Sequence, residues 1–233
     1  MASASPETAV PVIAIDGPGG AGKGTIARAI AHRIGWHFLD SGALYRLVGH
    51  VALVARIPLD DAERLAAVAR DLEVDFSTDP GDESIYLDQR DVTATVRSEQ
   101  TGVAASRVAT QPRVRRALIE RQRAFRVPPG LVADGRDMGS TIFPDAVVKI
   151  FLTATVEERA RRRYKQLKDK GIDVSLSALS RDMADRDRRD AQRSVAPLKA
   201  CPDARILDTT SMGIEDVVTK VAGWVAEVFP LEE

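Results

Sequence analysis

The sequence predicts an α/β protein whose centre is a five-stranded parallel sheet with helices on both faces. Five short apolar runs are spread along the 233 residues, and helical patterns lie between most of them. Strands that are buried on both faces read as continuous apolar runs rather than as an alternating pattern, and these runs are continuous. The runs are Val12 to Ile15, Trp36 to Leu39, Gly130 to Ala133, Val147 to Leu152 and Ala204 to Leu207.

A glycine-rich turn with one lysine follows the first run and leads into a helical pattern from Thr25 to Ile34. Glycines let a backbone wrap a phosphate closely with its N–H groups turned inward. Lys23 adds a positive charge, and the helix N-terminus adds its partial positive charge. The turn is therefore a candidate phosphate-binding loop, called the phosphate loop below. It consists of Gly17, Pro18, Gly19, Gly20, Ala21, Gly22, Lys23, Gly24 and Thr25.

Acidic residues follow several of the predicted strands. Ligands on parallel sheets collect at the carboxyl ends of the strands, so these residues are candidates for the site. Asp16, Asp40 and Asp134 could each order the waters of a bound metal ion, cap a helix or hydrogen-bond a loop. The sequence leaves these alternatives open.

The apolar pattern changes between Leu72 and Thr95, where apolar and polar residues alternate around a turn rich in Asp, Pro and Gly. This alternation predicts an antiparallel hairpin, which with the residues near Val92 forms a small inserted β element. Ser98 is the expected N-cap of an alanine-rich helix, and Pro112 the expected first residue of another helix.

The stretch from Glu157 to Arg193 is the most densely charged part of the chain. Within it, a stripe at helical spacing begins with three apolar residues and ends with three charged ones. We expect a helix that is anchored at its apolar end and bent over a charged ligand at the other end. The alternative is a solvated helix end with ion pairs. The stripe consists of Leu176, Leu179, Met183, Arg186, Asp190 and Arg193.

Composition excludes several classes of protein. The 33 Lys and Arg residues are balanced by 34 Asp and Glu residues, whereas a nucleic-acid-binding protein normally carries a positive excess. A single cysteine, Cys201, cannot form an internal disulfide, and no Cys/His cluster has zinc spacing. Met1 to Val10 has neither the basic start nor the apolar stretch of a signal peptide, and no later apolar stretch is long enough to span a membrane, so we expect neither element. We expect a cytoplasmic protein with no nucleic-acid or membrane partner.

The phosphate loop departs from the common pattern G-x-x-x-x-G-K-[ST] at one position. Gly24 stands where a hydroxyl residue is expected, and Thr25 follows one place later. The resulting Gly-Lys-Gly-Thr segment resembles the variant found in nucleoside monophosphate kinases. The alternative is a glycine-rich turn that binds nothing, but a bare turn rarely needs so many glycines and a lysine.

Four segments together resemble the bacterial cytidylate kinases. Besides the phosphate loop they are Leu39 to Arg46 (LDSGALYR), Ala133 to Gly139 (ADGRDMG) and Asp185 to Asp190 (DRDRRD). The resemblance runs from about Val12 to Phe229 and includes the inserted hairpin. The second and third segments are far more specific than the phosphate loop.

The resemblance implies that the whole phosphate loop binds ATP, with Lys23 and the backbone holding the β- and γ-phosphates. It implies that the Thr25 hydroxyl lies near a magnesium ion. It also implies catalytic roles for Lys23, Arg136 and Arg186. The residues implied to contact the acceptor nucleotide are Ser41, Tyr45, Arg46, Ser106, Arg115, Arg136, Asp137, Arg186, Asp190 and Arg193.

The resemblance also divides the acceptor residues by role. Arg46 and Arg136 take the phosphate of the acceptor. Arg186 and Asp190 match positions around its pentose and phosphate. The residues matched to the cytosine are Ser106, Arg115, Asp137 and Arg193. One position departs from the family, since Ala191 replaces a basic or polar residue, so Arg188 and Arg189 are only secondary candidates for contact with ATP.

The implied activity is transfer of the γ-phosphoryl group of ATP to CMP or dCMP. Such transfer asks for positioning and charge stabilisation rather than covalent work by the protein. A nucleoside monophosphate is mostly a dianion near pH 7, so we expect no general base. The expected ligands are ATP, CMP or dCMP and magnesium, and the expected assembly is a monomer.

The predicted organisation is a single phosphate-loop kinase domain over residues 1–233. Its core comprises residues 12–71, 127–156 and 194–233. Residues 72–126 form an inserted acceptor-nucleotide-binding region, and residues 157–193 form a helical lid. We expect the lid and the inserted region to close only when both nucleotides are bound, because water is the competing acceptor.

Two rival functions remain at the level of sequence. A related kinase could act on UMP, AMP, or a sugar or shikimate hydroxyl, and a hydroxyl acceptor would need an aspartate base, for which Asp40 is the candidate. The second rival is a phosphate-loop module that binds a nucleotide and signals through a partner, as a switch protein does. The sequence has no guanine-reading motif, and its many arginines on the acceptor side make a switch protein the weaker interpretation.

Overall fold

The computed structural model describes residues 9–79, 82–169, 171–192 and 197–230. The strands are β1 (Val12–Asp16), β2 (His37–Asp40), β3 (Val74–Phe76), β4 (Ile85–Leu87), β5 (Arg90–Asp91), β6 (Leu131–Gly135), β7 (Val148–Thr153) and β8 (Arg205–Asp208). The helices are α1 (Lys23–Ile34), α2 (Ser41–Val54), α3 (Ala62–Asp71), α4 (Thr93–Val96), α5 (Glu99–Val108), α6 (Pro112–Arg123), α7 (Val156–Asp169), α8 (Leu176–Ala191) and α9 (Ile214–Ala226). A π-helical turn spans Met138–Ile142.

The central sheet has five parallel strands in the order β2-β6-β1-β7-β8, which confirms the predicted fold class. Every strand ends one or two residues beyond its apolar run, because a polar or glycine residue at the carboxyl end stays in the ladder. Asp16 pairs with Gly135, and Asp40 pairs with Asp134. The sheet itself therefore fixes three carboxylates at its carboxyl edge.

Helices cover both faces of the sheet, as the continuous apolar strands predict. Alternate residues of β1 point to opposite faces, so Val12 and Ala14 lie in one core cluster and Ile13 and Ile15 in the other. Helices α1 and α9 cover the Ile13 face. Helices α2, α3 and α6 cover the opposite face. Both clusters are buried, which holds the carboxyl edge of the sheet rigid.

The phosphate loop joins β1 to α1 through a backbone that only glycine adopts readily. Gly17 has a φ of 147°, and a Cβ placed there would lie 2.0 Å from the Leu152 carbonyl oxygen. Gly22 has a φ of 89° and is the residue before α1, which begins at Lys23 rather than at the predicted Thr25. Lys23 is thus held by the first turn of a helix.

The inserted region contains the predicted antiparallel element, a three-stranded sheet in the order β3-β4-β5. The Ser98 hydroxyl accepts a hydrogen bond from the Thr101 N–H at 3.3 Å and caps α5, while Pro112 is the first residue of α6, both as predicted. Helices α5 and α6 pack on α2 and α3. The inserted region and the main sheet therefore share one hydrophobic cluster.

The charged stretch forms α7 and α8, which pack against each other. The expectation that the apolar end of the stripe is anchored is wrong. Leu176 is 43% exposed, whereas Asp190 at the other end is 3% exposed. Asp190 is buried because it finds an ionic partner outside its own helix, Arg136, whereas Arg186 of the same stripe is exposed. Arg193, the last residue of the stripe, lies outside the described residues.

No helix in the described part of the chain combines the length and apolar character that crossing a membrane requires.

Candidate active site

Lys23 is buried at the start of α1, inside the curve of the phosphate loop. Its side chain is 6% exposed, and its Nζ donates to the Pro18 carbonyl at 3.1 Å. The same Nζ lies 3.6 Å from a carboxylate oxygen of Asp134, at the end of β6. The sheet and the helix thus hold one ammonium group at a fixed place beside the loop.

Burial favours the uncharged form of both Lys23 and Asp134 and shifts the pKa of each accordingly. The pKa of Lys23 is lowered to about 8, chiefly by burial and then by the positive charge of Arg136. The pKa of Asp134 is raised to about 6, again chiefly by burial, although Lys23 opposes the change. Loss of hydration therefore outweighs the mutual attraction of the pair. Lys23 stays mostly protonated near pH 7, and an anionic ligand would raise its pKa again.

Two arginines from distant segments reach the same loop. Arg136 follows β6, and its Nη2 lies 3.3 Å from the position that a Cβ on Gly19 would occupy. Arg186 lies on α8, and its Nη1 is 4.0 Å from that position. The positive charges of both arginines also lower the pKa of Lys23. The three residues predicted to be catalytic thus meet at one loop, where their mutual repulsion favours an anion between them.

Buried ion pairs orient two of the arginines that were predicted to bind the acceptor. The Nε of Arg136 donates to Asp190 on α8 at 3.1 Å. The Nη2 of Arg115 donates to Asp137 at 2.9 Å, and both side chains are about a tenth exposed. The Arg115 guanidinium lies 6.0 Å from the centre of the Tyr45 ring. These pairs join α2, α6, α8 and the turn after β6 into one polar cluster.

Arg46 projects from α2 to the inserted region. Its Nη1 donates to the carbonyls of Val96 and Ser98 at 2.9 and 3.1 Å. Burial lowers its pKa below the ordinary value, and the charges of Arg163 and Arg97 lower it further. Arg46 is half-buried, so an anionic ligand beside it would offset the lost hydration of its charge.

Two hydroxyl residues predicted to bind the acceptor lie at different places. Ser41 is the buried first residue of α2, and its Oγ lies 2.7 Å from the Cβ position of Gly135. Ser106 on α5 donates to the Gly102 carbonyl at 3.1 Å. The Arg46 guanidinium packs on Gly102, 3.1 Å from its Cβ position, so Ser106 and Arg46 share one neighbour. Arg193, also predicted to bind the acceptor, is outside the described residues.

Asp40 caps a helix and Asp16 hydrogen-bonds a turn, which are two of the roles that the sequence left open for these aspartates. Asp40 caps α2 by accepting from the Ala43 N–H at 3.0 Å. Asp16 accepts from the N–H groups of Met138 and Gly139 at 2.8 and 2.9 Å, and burial raises its pKa to about 6. Asp16 thus holds the turn that carries Arg136, while Asp134 remains beside Lys23 at the loop.

The residues at the phosphate loop fit a magnesium ion that arrives with ATP. Thr25 is exposed in the first turn of α1, and an Asp134 oxygen lies 3.2 Å from the Cβ position of Gly24. Hydroxyl and carboxylate oxygens are ligands that Mg²⁺ prefers, and the ion usually keeps several waters. Within the described ranges, no group of three or more His, Cys, Asp or Glu residues could hold a metal ion without a substrate.

Comparison with known proteins agrees with this geometry. A family model described as cytidylate kinase matches residues 13–227.

The chain belongs to the cytidylate kinase family.

Relatives cover almost the whole of this chain. A cytidylate kinase of Aeromonas salmonicida is 52% identical over 93% of this chain and 94% of its own length. A cytidylate kinase of Pseudomonas aeruginosa is 56% identical over 91% of this chain and 94% of its own. Among solved structures, TT1252 from Thermus thermophilus is 22% identical, with a TM-score of 0.46 over 94% of this chain and 98% of that chain.

Two residues of the site in this member of the cytidylate kinase family escaped the sequence analysis. Arg159 is 3% exposed on α7 and contacts both the phosphate loop and Asp187 on α8. Three further arginines follow within the next four positions of α7, so the sequence offers no signal that singles out Arg159. Asp187 lies in the Asp185 to Asp190 segment that carries the resemblance, but its alternating charges do not show which residue faces another helix.

We expect kcat/KM for ATP to fall above about pH 8. Lys23 must be protonated to attract the phosphates, and burial together with Arg136 lowers its pKa to about 8, so the free enzyme loses this charge at alkaline pH. Bound ATP should raise the pKa of Lys23, so the alkaline decrease of kcat should occur at a higher pH than the decrease of kcat/KM. Profiles of both constants between pH 6 and pH 10 test this. A flat kcat/KM profile across pH 8 would contradict it.

Proposed function

We propose that this protein transfers the γ-phosphoryl group of ATP to CMP or dCMP, giving ADP and CDP or dCDP, in pyrimidine nucleotide metabolism. One observation carries the proposal beyond family membership. Lys23, Arg136 and Arg186 come from three separate segments and meet around Gly19 of the phosphate loop. A reaction that moves a charged phosphoryl group between two anions requires fixed cations at the point where the phosphates meet.

On the donor side, the phosphate loop from Gly17 to Thr25 binds the phosphates of ATP. Its backbone N–H groups and the N-terminus of α1 supply partial positive charge, and Lys23 supplies a full charge to the β- and γ-phosphates. The Thr25 hydroxyl, together with the ATP phosphates, would hold a magnesium ion, which would supply positive charge to offset the negative charge that builds up on those phosphates.

On the acceptor side, Arg46 and Arg136 take the phosphate of CMP. Their planar forks match two phosphate oxygens and stay charged at any working pH. Asp190 orients Arg136 by accepting a hydrogen bond from its Nε at 3.1 Å. Arg186 and Asp190 also serve the pentose and the phosphate. Ser41 and Tyr45 belong to the same pocket.

The cytosine is read by Ser106, Arg115, Asp137 and Arg193. Arg115 and Asp137 already form a buried pair at 2.9 Å, so the base would bind to groups whose orientation is fixed beforehand. A base that lacks the matching donors and acceptors would leave hydrogen-bonding groups of this pair without partners. The free-energy cost of those missing hydrogen bonds would discriminate against other bases.

No general base takes part. The acceptor is mostly a dianion near pH 7 and is already nucleophilic. His32 and His37 are exposed and lie toward the amino ends of the strands, away from the phosphate loop. The protein's contribution is to bring the two phosphates into line and to stabilise the transferring charge.

The protein works as a cytoplasmic monomer with one kinase domain. The core comprises residues 12–71, 127–156 and 194–233, the acceptor region residues 72–126 and the lid residues 157–193. Met183 of α8 packs against the phosphate loop, 3.4 Å from the Cβ position of Gly20, which supports a lid that covers this loop. Closure of the lid and the acceptor region excludes water from the transfer.

A hydroxyl acceptor such as a sugar is a weaker candidate on geometric grounds. It would need an aspartate base, and the candidate Asp40 uses its carboxylate to cap α2. A signalling module is also weaker, because ion pairs such as Arg115–Asp137 preorganise a second ligand pocket that a simple switch does not require.

The proposal is tested by measuring ADP release with a panel of acceptors at equal concentration. CMP and dCMP should give the highest kcat/KM, ahead of UMP, AMP and the sugar hydroxyls. A variant with Ser106→Ala should narrow the gap between CMP and UMP. Faster turnover of AMP or of a sugar than of CMP would contradict the proposal.

A further inference from the structure

A buried arginine joins the lid to the phosphate loop. Arg159 lies in the first turn of α7, and its Nη1 donates to the carbonyl of Gly19 at 3.0 Å. Its Nε donates to the Ala154 carbonyl at 2.9 Å. Nη1 and Nη2 also donate to the two carboxylate oxygens of Asp187 on α8, at 3.1 and 2.5 Å. One guanidinium thus bonds to three segments of the chain.

The burial of this arginine requires all of these partners. Arg159 is 3% exposed, and an isolated buried charge is strongly unfavourable. The four hydrogen bonds engage donors on all three guanidinium nitrogens. A planar fork that bonds both oxygens of Asp187 fixes the orientation of that carboxylate as well as its distance. A lysine would supply the charge without this geometry.

The stem of Arg159 also packs on the phosphate loop. A Cβ on Gly20 would lie 3.1 Å from the Arg159 Cβ and 3.4 Å from the Met183 Cε of α8. Both lid helices therefore contact the loop at one glycine. The contacts of Arg159 therefore tie the loop to both lid helices.

The partner of Arg159 lies next to a residue of the proposed catalytic cluster. Asp187 follows Arg186, whose Nη1 lies 4.0 Å from the Cβ position of Gly19. Asp190, three residues further along α8, bonds to Arg136 at 3.1 Å. Fixing Asp187 therefore fixes the turn of α8 that carries both residues. A displacement of about 1 Å at such a site can cost about 100-fold in rate.

We propose that Arg159 is a positioning residue of the transfer reaction. Through Asp187 and the Gly19 carbonyl, it sets the distance between the phosphate loop and the turn of α8 that carries Arg186. Without it, Arg186 no longer meets the transferring phosphoryl group in a fixed place, and water enters beside ATP. This inference rests on the proposed function, because it assigns Arg159 an effect on phosphoryl transfer.

The first test is the conservative substitution Arg159→Lys, which keeps the charge and removes the fork. We expect kcat with CMP to fall by about 100-fold, in line with a misplaced reacting group. We expect the ratio of ATP hydrolysis to CMP phosphorylation to rise by about tenfold or more, because the site is less well closed. The equilibrium Kd for CMP without ATP should rise by far less than kcat falls, because Arg46, Arg115 and Asp137 keep their contacts when Arg159 is changed.

Arg161→Lys is the matched control, since Arg161 lies on the same helix, is exposed and pairs with Glu158 at 2.5 Å. It should keep the rate and the hydrolysis ratio of the wild type. Asp187→Asn breaks the same contact from the other side. If the two residues act through one contact, the double variant with Arg159→Lys is no slower than the slower single variant.

A second readout does not depend on the reaction. In the protein without ligands, Arg159→Lys should accelerate amide hydrogen exchange around Asp187 in α8 and leave α9 unchanged. If wild-type protein failed to phosphorylate CMP, the proposed function would fall, and the exchange data would still show whether Arg159 holds the lid. Unchanged exchange in α8 would overturn the inference. So would a lower kcat with an unchanged hydrolysis ratio and additive effects, which is the result expected of a purely structural residue.

Discussion

Replacing Lys23 by methionine is expected to lower kcat for CMP phosphorylation by about 1,000-fold while the protein stays folded. Methionine keeps most of the apolar stem but removes the ammonium that lies 3.6 Å from Asp134 at the phosphate loop. Burial already raises the pKa of Asp134 to about 6, so this carboxyl can take up a proton once its partner is lost. The substitution therefore leaves the fold stable but removes a charge that stabilises the transition state.

The measurement is a coupled assay of ADP release, together with circular dichroism and thermal unfolding. Lys220→Met is the control, because Lys220 is exposed on α9 and its Nζ lies 5.9 Å from the Trp224 ring, on the opposite side of the sheet from α2. It should behave as wild type. Turnover within about tenfold of wild type in Lys23→Met would contradict the role assigned to the lysine.

Replacing Arg46 by alanine is expected to weaken the acceptor side far more than the ATP side. A hydrogen bond to a charged group contributes about 1.5 to 3 kcal/mol, so KM for CMP should rise by about 10-fold to 100-fold. KM for ATP should change by less than about twofold, because the phosphate loop is left intact. Alanine also releases the carbonyls of Val96 and Ser98, which loosens the inserted region from α2.

Arg46→Lys separates these two effects, since lysine keeps the charge but loses the fork. It should recover part of the affinity for CMP. Arg64→Ala, at an exposed position of α3 whose side chain lies 3.9 Å from Asp61, should leave both KM values unchanged. Equal increases of the two KM values in Arg46→Ala would show that the residue is not specific to the acceptor.

The sheet and the phosphate loop could be predicted because local sequence determines them. A strand buried on both faces has to be apolar along its length, and a loop that wraps a phosphate needs glycines such as Gly17 and Gly22. The ends of the strands were missed by one or two residues, since Asp16 and Asp40 stay in the ladder although they are polar. Apolar periodicity does not detect them, because hydrogen bonds rather than apolar packing hold these carboxylates at the edge of the sheet.

The lid could not be predicted in the same way, because its anchor depends on residues far away in the chain. The stripe on α8 suggested an apolar anchor at Leu176, yet the buried end is Asp190, which pairs with Arg136. Three more arginines follow Arg159 within four positions of α7. Only the folded structure shows that Arg159 is the one that contacts Gly19. Helical spacing shows which residues share a face, but it does not show what lies opposite that face.

The acceptor pocket was assigned by resemblance, and the structure adds the contacts that give it a physical basis. Arg115 and Asp137 are 22 positions apart and form a buried pair, while Arg46 bonds to carbonyls 50 and 52 positions away. Contacts over such separations leave no pattern in a single sequence. Under the proposed function, they explain how α2 and the inserted region, including α6, would form one preorganised pocket.

The central claim is that the phosphates of donor and acceptor meet end to end at the cluster of Lys23, Arg136 and Arg186. A crystal structure with a bisubstrate analogue, in which adenosine and cytidine are joined by a phosphate chain, tests it most directly. We expect the chain to pass Gly19 with all three cations within hydrogen-bonding distance of its oxygens. Phosphates bound away from these residues, or the two nucleosides lodged in unconnected crevices, would contradict the claim.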